Sequence, residues 1–108
     1  MAYNEQLANR IREQLQFYSE VFTEKKMFGG LTFLYKGKMT IGVMKENLMV
    51  RIISNKIENE LTKQFVRPMD FTKKPMKEFV YVSLEGVSTE IQLLHFIELG
   101  LEHAKSKL

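Results

Sequence analysis

Residues 31–53, LTFLYKGKMTIGVMKENLMVRII, carry the clearest secondary-structure pattern in the sequence. Apolar side chains alternate with their neighbours through three successive runs, and this period of two is the pattern of β-strands. The runs are separated by Lys36-Gly37 and by Lys45-Glu46-Asn47, whose lengths and residue types are those of tight hairpin turns. The stretch therefore predicts a meander of three adjacent antiparallel strands.

An amphipathic helix is predicted before the meander, from Asn4 to Phe17. Asn4 is a suitable N-cap, because its side-chain oxygen can accept a hydrogen bond from a first-turn N–H. The apolar residues of this helix recur every four positions, at Leu7, Ile11 and Leu15.

A second, short helix is predicted after the meander. Asn55 and Glu58 are spaced like a capping box, and Pro68 stops the helix. Its apolar positions are again four residues apart, at Ile57, Leu61 and Phe65. The segment from Met69 to Met76 is predicted to be extended, with one short edge strand.

The last part of the chain predicts one strand and one helix. Phe79 to Leu84 is rich in β-branched and aromatic residues, which indicates a full strand. Thr89 and Gln92 form a capping box for a closing helix that ends at about Lys105. The order α-β-β-β-α-(β)-β-α predicts an α+β fold: a two-layer sandwich of an antiparallel sheet with flanking helices, as one domain over residues 1–108.

The predicted strands are apolar on both faces. Leu34, Met44, Met49 and Ile53 alternate with the core positions, so a helix or another chain should cover the second face. We expect a homodimer through that face. The predicted core consists of Leu7, Ile11, Leu15, Phe33, Ile41, Val50, Leu61, Val82, Leu94 and Leu101.

Composition excludes several classes of protein. The 108 residues contain no cysteine, which excludes disulfides, thiolate metal sites and a cysteine nucleophile. The polar N-terminus is unlike a secretion signal, and the apolar runs fall far short of the roughly 20 residues of a membrane helix. We therefore expect a soluble, cytoplasmic protein without a membrane partner.

Positive charge is concentrated in the middle of the chain. The net charge is +3, but residues 25–77 carry ten lysines and two arginines against four acidic residues. Such a block attracts acidic proteins or nucleic acids, and it is also typical of a solvated surface.

Several short motifs resemble the N-terminal domain of the TfoX (Sxy) family of competence regulators. The most specific is a basic residue followed by Met27-Phe28-Gly29-Gly30, which leads into the first hairpin. The others are Gly37-Lys38-Met39, Leu48-Met49-Val50-Arg51 and Pro68-Met69-Asp70-Phe71. The resemblance covers nearly the whole chain.

The resemblance implies a non-enzymatic bacterial protein that regulates transcription and DNA uptake alongside the cyclic-AMP receptor protein. Its partner would be a protein, with the transcription machinery as the implied class. The implied fold is a two-layer α+β sandwich close to the secretion-chaperone type.

The residues themselves favour no catalytic, cofactor or metal site. The glycines at Gly29 and Gly30 are best explained by a bend that opens a strand, because no complete phosphate-binding motif surrounds them. His95 and His103 are predicted to lie on a solvated helix face, about 12 Å apart along the axis and too far to share a metal. No serine has the surroundings of a nucleophile. We expect no enzyme activity, and neither cofactor nor metal.

The candidate contact residues are basic. Arg51 stands in an apolar strand, so it either contacts an anion or forms a cross-strand ion pair. Weak, direct nucleic-acid binding is the alternative function, although no base-reading motif supports it. The candidate partner or nucleic-acid contacts are Lys25, Lys26, Lys36, Lys38, Arg51, Lys73, Lys74 and Lys77.

Overall fold

The computed structural model describes residues 3–27, 29–71 and 74–108, with the backbone alone for residues 70, 71 and 74–77. The elements follow one another as α1 (Glu5–Leu15), β1 (Phe22–Met27), β2 (Gly30–Tyr35), β3 (Lys38–Met44), β4 (Asn47–Arg51), α2 (Ser54–Leu61), β5 (Val66–Phe71), β6 (Lys74–Ser83), a 3-10 helix (Leu84–Val87) and α3 (Glu90–Ser106).

The strands form one antiparallel sheet in the order β1-β2-β3-β4-β6-β5. The predicted meander is confirmed as β2, β3 and β4. Strand β6 pairs with β4 after the chain has passed through α2 and β5, so β1 and β5 are the two edges. The α+β class is confirmed, and the core lies between α1, α3 and one face of the sheet.

The sequence pattern predicts no strand between the first helix and the meander, so β1 is an addition to the predicted order of elements. Its four central residues are exposed and three of them are charged, so it lacks the apolar alternation of an interior strand. Strand β6 also begins at Lys74 rather than at Phe79. The predicted short edge strand is confirmed as β5.

Two of the three helices have the N-cap that the sequence predicts. The Asn4 side chain accepts from the Leu7 N–H at 3.0 Å, and Thr89 forms a complete capping box with Gln92. The capping box predicted at Asn55 is wrong: α2 begins at Ser54, which places Asn55 inside the first turn, and the helix has no side-chain cap.

The predicted core is largely confirmed. Leu61 and Leu94 are half-buried and pack against the main cluster, while the other eight predicted core residues are buried. Helix α2 ends at Leu61, so Phe65 lies beyond it. Ile57 and Leu61 still contact the main cluster from one side of α2.

The second face of the sheet carries its own apolar cluster. Leu34, Phe79 and Tyr81 are partly buried in this cluster. Its buried members are four methionines: Met39, Met44, Met49 and Met69. Met49 is fully buried within a single chain, while Leu34 and Ile53 are half-buried. The homodimer stays a prediction, and this face exposes less apolar surface to a second copy than the alternation alone implies.

Candidate interaction surface

Strand β1 places two lysines at an edge of the sheet. Lys25 pairs with Thr32 and Lys26 with Leu31 on β2, so the two side chains point to opposite faces. Both are exposed, and neither has an ion-pair partner among the described side chains. The edge therefore presents uncompensated positive charge on both sides of one strand.

Most other cations of the described chain are neutralised by carboxylates. Arg12 Nε lies 2.8 Å from Glu24 Oε2, and this hydrogen-bonded pairing lowers the pKa of Glu24. Arg10 pairs with Glu90 at 2.7 Å. Lys56, Lys63 and Lys105 pair with Glu102, Glu60 and Glu20. Lys38, Lys45 and Lys107 also lack a carboxylate partner, but among the described residues only β1 places two such lysines side by side on an edge strand.

The glycines of the Met27–Gly30 motif form the turn that ends β1. Met27 pairs with Gly30 across the turn, and Gly29 has the positive φ of 76° that tight hairpin turns favour. A Cβ at Gly30 would clash with the Val43 carbonyl oxygen, so only glycine fits there. The role of these glycines is to shape the hairpin. Phe28 lies outside the described residues.

Lys36 and Lys38 lie at the turn between β2 and β3. The Lys36 Nζ is 5.6 Å from the centroid of the Tyr35 ring, and that ring is 6.0 Å from the ring of Phe22 on β1. Tyr35 is also the register partner of Phe22. Lys36 and Lys38 therefore lie near the first residue of β1, whereas Lys25 and Lys26 lie toward its last residue.

The remaining predicted contacts do not join this group. Arg51 lies on β4, where its Nη2 is 3.6 Å from Glu78 Oε1 and its guanidinium is 5.3 Å from the Phe79 ring centroid. The ion-pair interpretation of Arg51 therefore describes it better than the anion contact. Lys74 and Lys77 belong to β6, four strand spacings or about 19 Å from β1. Lys73 and the side chains of Lys74 and Lys77 lie outside the described residues.

His103 contradicts the prediction of a solvated face. It is fully buried, and its Nε2 lies 3.3 Å from Glu78 Oε1. Burial and the nearby Arg51 charge lower the pKa of His103. Burial alone would raise the pKa of Glu78, but contact with His103 and the charge of Arg51 lower it.

A second polar cluster, also absent from the sequence-based predictions, joins α2 to α3. Glu60 Oε1 lies 2.8 Å from Lys63 Nζ and 3.1 Å from His95 Nε2. The i, i+3 spacing of Glu60 and Lys63 is a sequence signal for one half of this cluster. The described polar partners of His95 are therefore at α2 and just beyond it, rather than on its own helix.

Two further findings concern metals and membranes. Among the described residues, no group of three or more histidines and carboxylates is arranged to hold a metal ion. The helices in the described part of the chain all lack the length and apolar character of a membrane span.

Comparison with known proteins gives a family for the whole fold. The TfoX N-terminal domain family matches residues 13–104 of the 108, a range that contains all six strands. The comparisons with curated proteins and with solved structures each gave no match. Since the family match covers far more than half of the sequence, the chain belongs to the TfoX N-terminal domain family.

Proposed function

We propose that this protein is a non-enzymatic regulatory module that acts by binding a protein partner in the control of competence and DNA uptake. Membership of the TfoX N-terminal domain family supports the regulatory role. The transcription machinery is the class of partner that this family implies. No site in the described residues suggests that the protein itself transforms a substrate.

The edge strand β1 is the observation that carries the interaction. It pairs with β2 on one side, and in the described part of the chain no strand lies on its other side. An extended segment can add to such an edge through main-chain hydrogen bonds, while alternate side chains provide specificity. Because Lys25 and Lys26 are free on opposite faces, the segment that fits is extended and acidic.

A second copy of the chain fits this edge less well than an acidic partner. Two-fold pairing of β1 with itself centred on Lys25 places two lysines opposite each other, and Glu24, which would then face Lys26, is already paired with Arg12. Centring on Glu24 places two glutamates opposite each other. Like charges directly opposite each other destabilise a strand pair. The edge therefore favours a different protein.

Amide chemical-shift mapping tests the proposed contact. The probe is a synthetic peptide of alternating valine and glutamate, added to the isotope-labelled protein. We expect saturable shifts concentrated from Thr23 to Met27 and on the facing residues of β2. Shifts concentrated at the other edge, β5, or no saturable shifts, would overturn the assignment to β1.

A further inference from the structure

A cleft of about 300 Å³ lies between the end of α2, the start of β5 and the first turns of α3. Its floor includes Val66 and Phe96, which are 7% and 4% exposed. Phe65 and Gly86 also line it, and Ile91 stands at the rim. The cleft is on the helical side of the molecule, at the β5–β6 end of the sheet, and β1 is at the opposite edge.

The lining of the cleft suits the apolar part of a small ligand. Ile91 is 82% exposed, although burial of an isoleucine side chain is favourable. Its neighbours in the cleft are aromatic or aliphatic, and the polar contribution comes from two glutamines, Lys63 and His95. Mostly apolar clefts with a few polar groups are typical of small-molecule sites, and this volume is at the lower end of their range.

Lys63 supplies a positioned cation at the rim. Its Nζ is 2.8 Å from Glu60 Oε1, 3.0 Å from His95 Nε2 and 5.8 Å from the Phe96 ring centroid. These contacts hold the ammonium group over the apolar floor. A ligand that bonds to it loses less free energy to side-chain ordering than it would with a free lysine.

The carboxylate partner of Lys63 does not face the ligand. The Glu60 side chain is 6% exposed, whereas the side chains of Lys63 and His95 are each 44% exposed. Burial would raise the pKa of Glu60, but its bonds with Lys63 and His95 lower it, so the group is a carboxylate at neutral pH. The exposed surface of the cluster is therefore its cationic side.

We propose that this cleft binds a small organic acid, with an aromatic or branched apolar body on Phe96 and Ile91 and a carboxylate bonded to Lys63. The inference is independent of the β1 edge, because the two surfaces share no residue. The competing explanation is that Glu60, Lys63 and His95 do no more than join α2 to α3.

A pair of matched ligands separates these explanations. 1-Naphthoate carries the carboxylate, and 1-naphthamide has the same ring without the charge. In an amide chemical-shift titration we expect saturable shifts at the cleft, with naphthoate binding more tightly than naphthamide. Replacing Lys63→Met keeps an apolar side chain and removes the cation, so the affinity for naphthoate should fall about fivefold and that for naphthamide should stay unchanged.

Two exposed apolar residues provide the control for the cleft itself. Ile91→Asp should weaken both ligands, whereas Val21→Asp should weaken neither, because Val21 is 78% exposed and does not line the cleft. Both positions are exposed, so both variants should fold. The proposal is overturned if naphthoate gives no saturable shifts at the cleft, if Lys63→Met weakens both ligands equally, or if the two aspartate variants behave alike.

Discussion

Lys45 adopts a backbone conformation that suits glycine better than lysine. It lies in the turn between β3 and β4 with a φ of 54°, and its side chain is exposed. The left-handed region costs a residue with a Cβ about 1–2 kcal/mol. Glycine avoids this cost but loses more conformational entropy on folding, by about 0.5–1 kcal/mol. We expect Lys45→Gly to raise the free energy of unfolding by about 0.5 kcal/mol, measured by urea denaturation.

Lys38→Gly is the matched control for this prediction. Lys38 is the first residue of β3 and is not among the described residues with positive φ. Glycine should there lower the free energy of unfolding by about 0.5–1 kcal/mol. The explanation from backbone conformation fails if the two substitutions change stability in the same direction.

His103 makes stability depend on pH. Its pKa is lowered from 6.5 by burial, with repulsion from Arg51 and Lys107 adding to the effect and Glu78 opposing it. Below about pH 6.5 the unfolded chain therefore binds a proton that the folded chain does not take up, and stability falls as the pH falls. We expect a lower free energy of unfolding at pH 5.5 than at pH 7.5, measured by urea denaturation.

Substitution of each histidine assigns this pH dependence. His103→Leu should flatten the change between pH 7.5 and 5.5, and His95→Gln, which removes the other histidine of the chain, is the matched comparison. Glu78 titrates below this interval, because its own pKa is lowered from 4.5. A slope that survives in His103→Leu would show that another group is responsible.

The helices and strands that can be predicted are those whose local sequence pattern agrees with their position in the fold. The core residues of the meander recur with a period of two because that face of each strand is buried against helices, while the methionine cluster lies on the other face. The start of α3 is marked in the sequence by a complete capping box. Strand β1 has no such pattern, because charged residues protect an edge strand from unwanted pairing, whereas interior strands are stabilised by burial. The remaining sequence signal for β1 is the glycine pair Gly29-Gly30, because a tight hairpin turn implies a strand on each side.

The cap of α3 gives a testable prediction. The Thr89 Oγ1 accepts from the Gln92 N–H at 3.2 Å, and Gln92 Oε1 accepts from the Thr89 N–H at 3.0 Å. Thr89→Ala should lower the free energy of unfolding by about 1 kcal/mol. Ser54→Ala, at the first residue of α2, should change it by less than about 0.5 kcal/mol, because Ser54 is exposed and α2 has no side-chain cap. Equal losses in thermal or urea unfolding would contradict the role of the cap.

In the folded molecule, the strand order of the sheet separates basic residues that belong to one segment of the sequence. The basic segment from Lys25 to Lys77 is divided between the β1–β3 side of the sheet and strands β4 and β6. Periodicity within single strands carries no information about which distant strands pair, so the sequence could not predict this division. For the same reason it could not show that His103 is buried beside Glu78, or that Glu60 meets His95.

The proposed contact is between Lys25 and Lys26 on β1 and an acidic, extended segment of a partner. Fluorescence anisotropy with the labelled valine–glutamate peptide tests it most directly, with Lys25→Glu/Lys26→Glu compared with Lys45→Glu/Lys107→Glu. Both double variants change the net charge equally, and all four lysines are exposed. Charge reversal on β1 should weaken binding about tenfold or more, while the control should stay within about twofold of the unsubstituted protein. Equal weakening by both variants, or sub-micromolar and sequence-selective binding of a labelled DNA duplex at physiological salt, would contradict it.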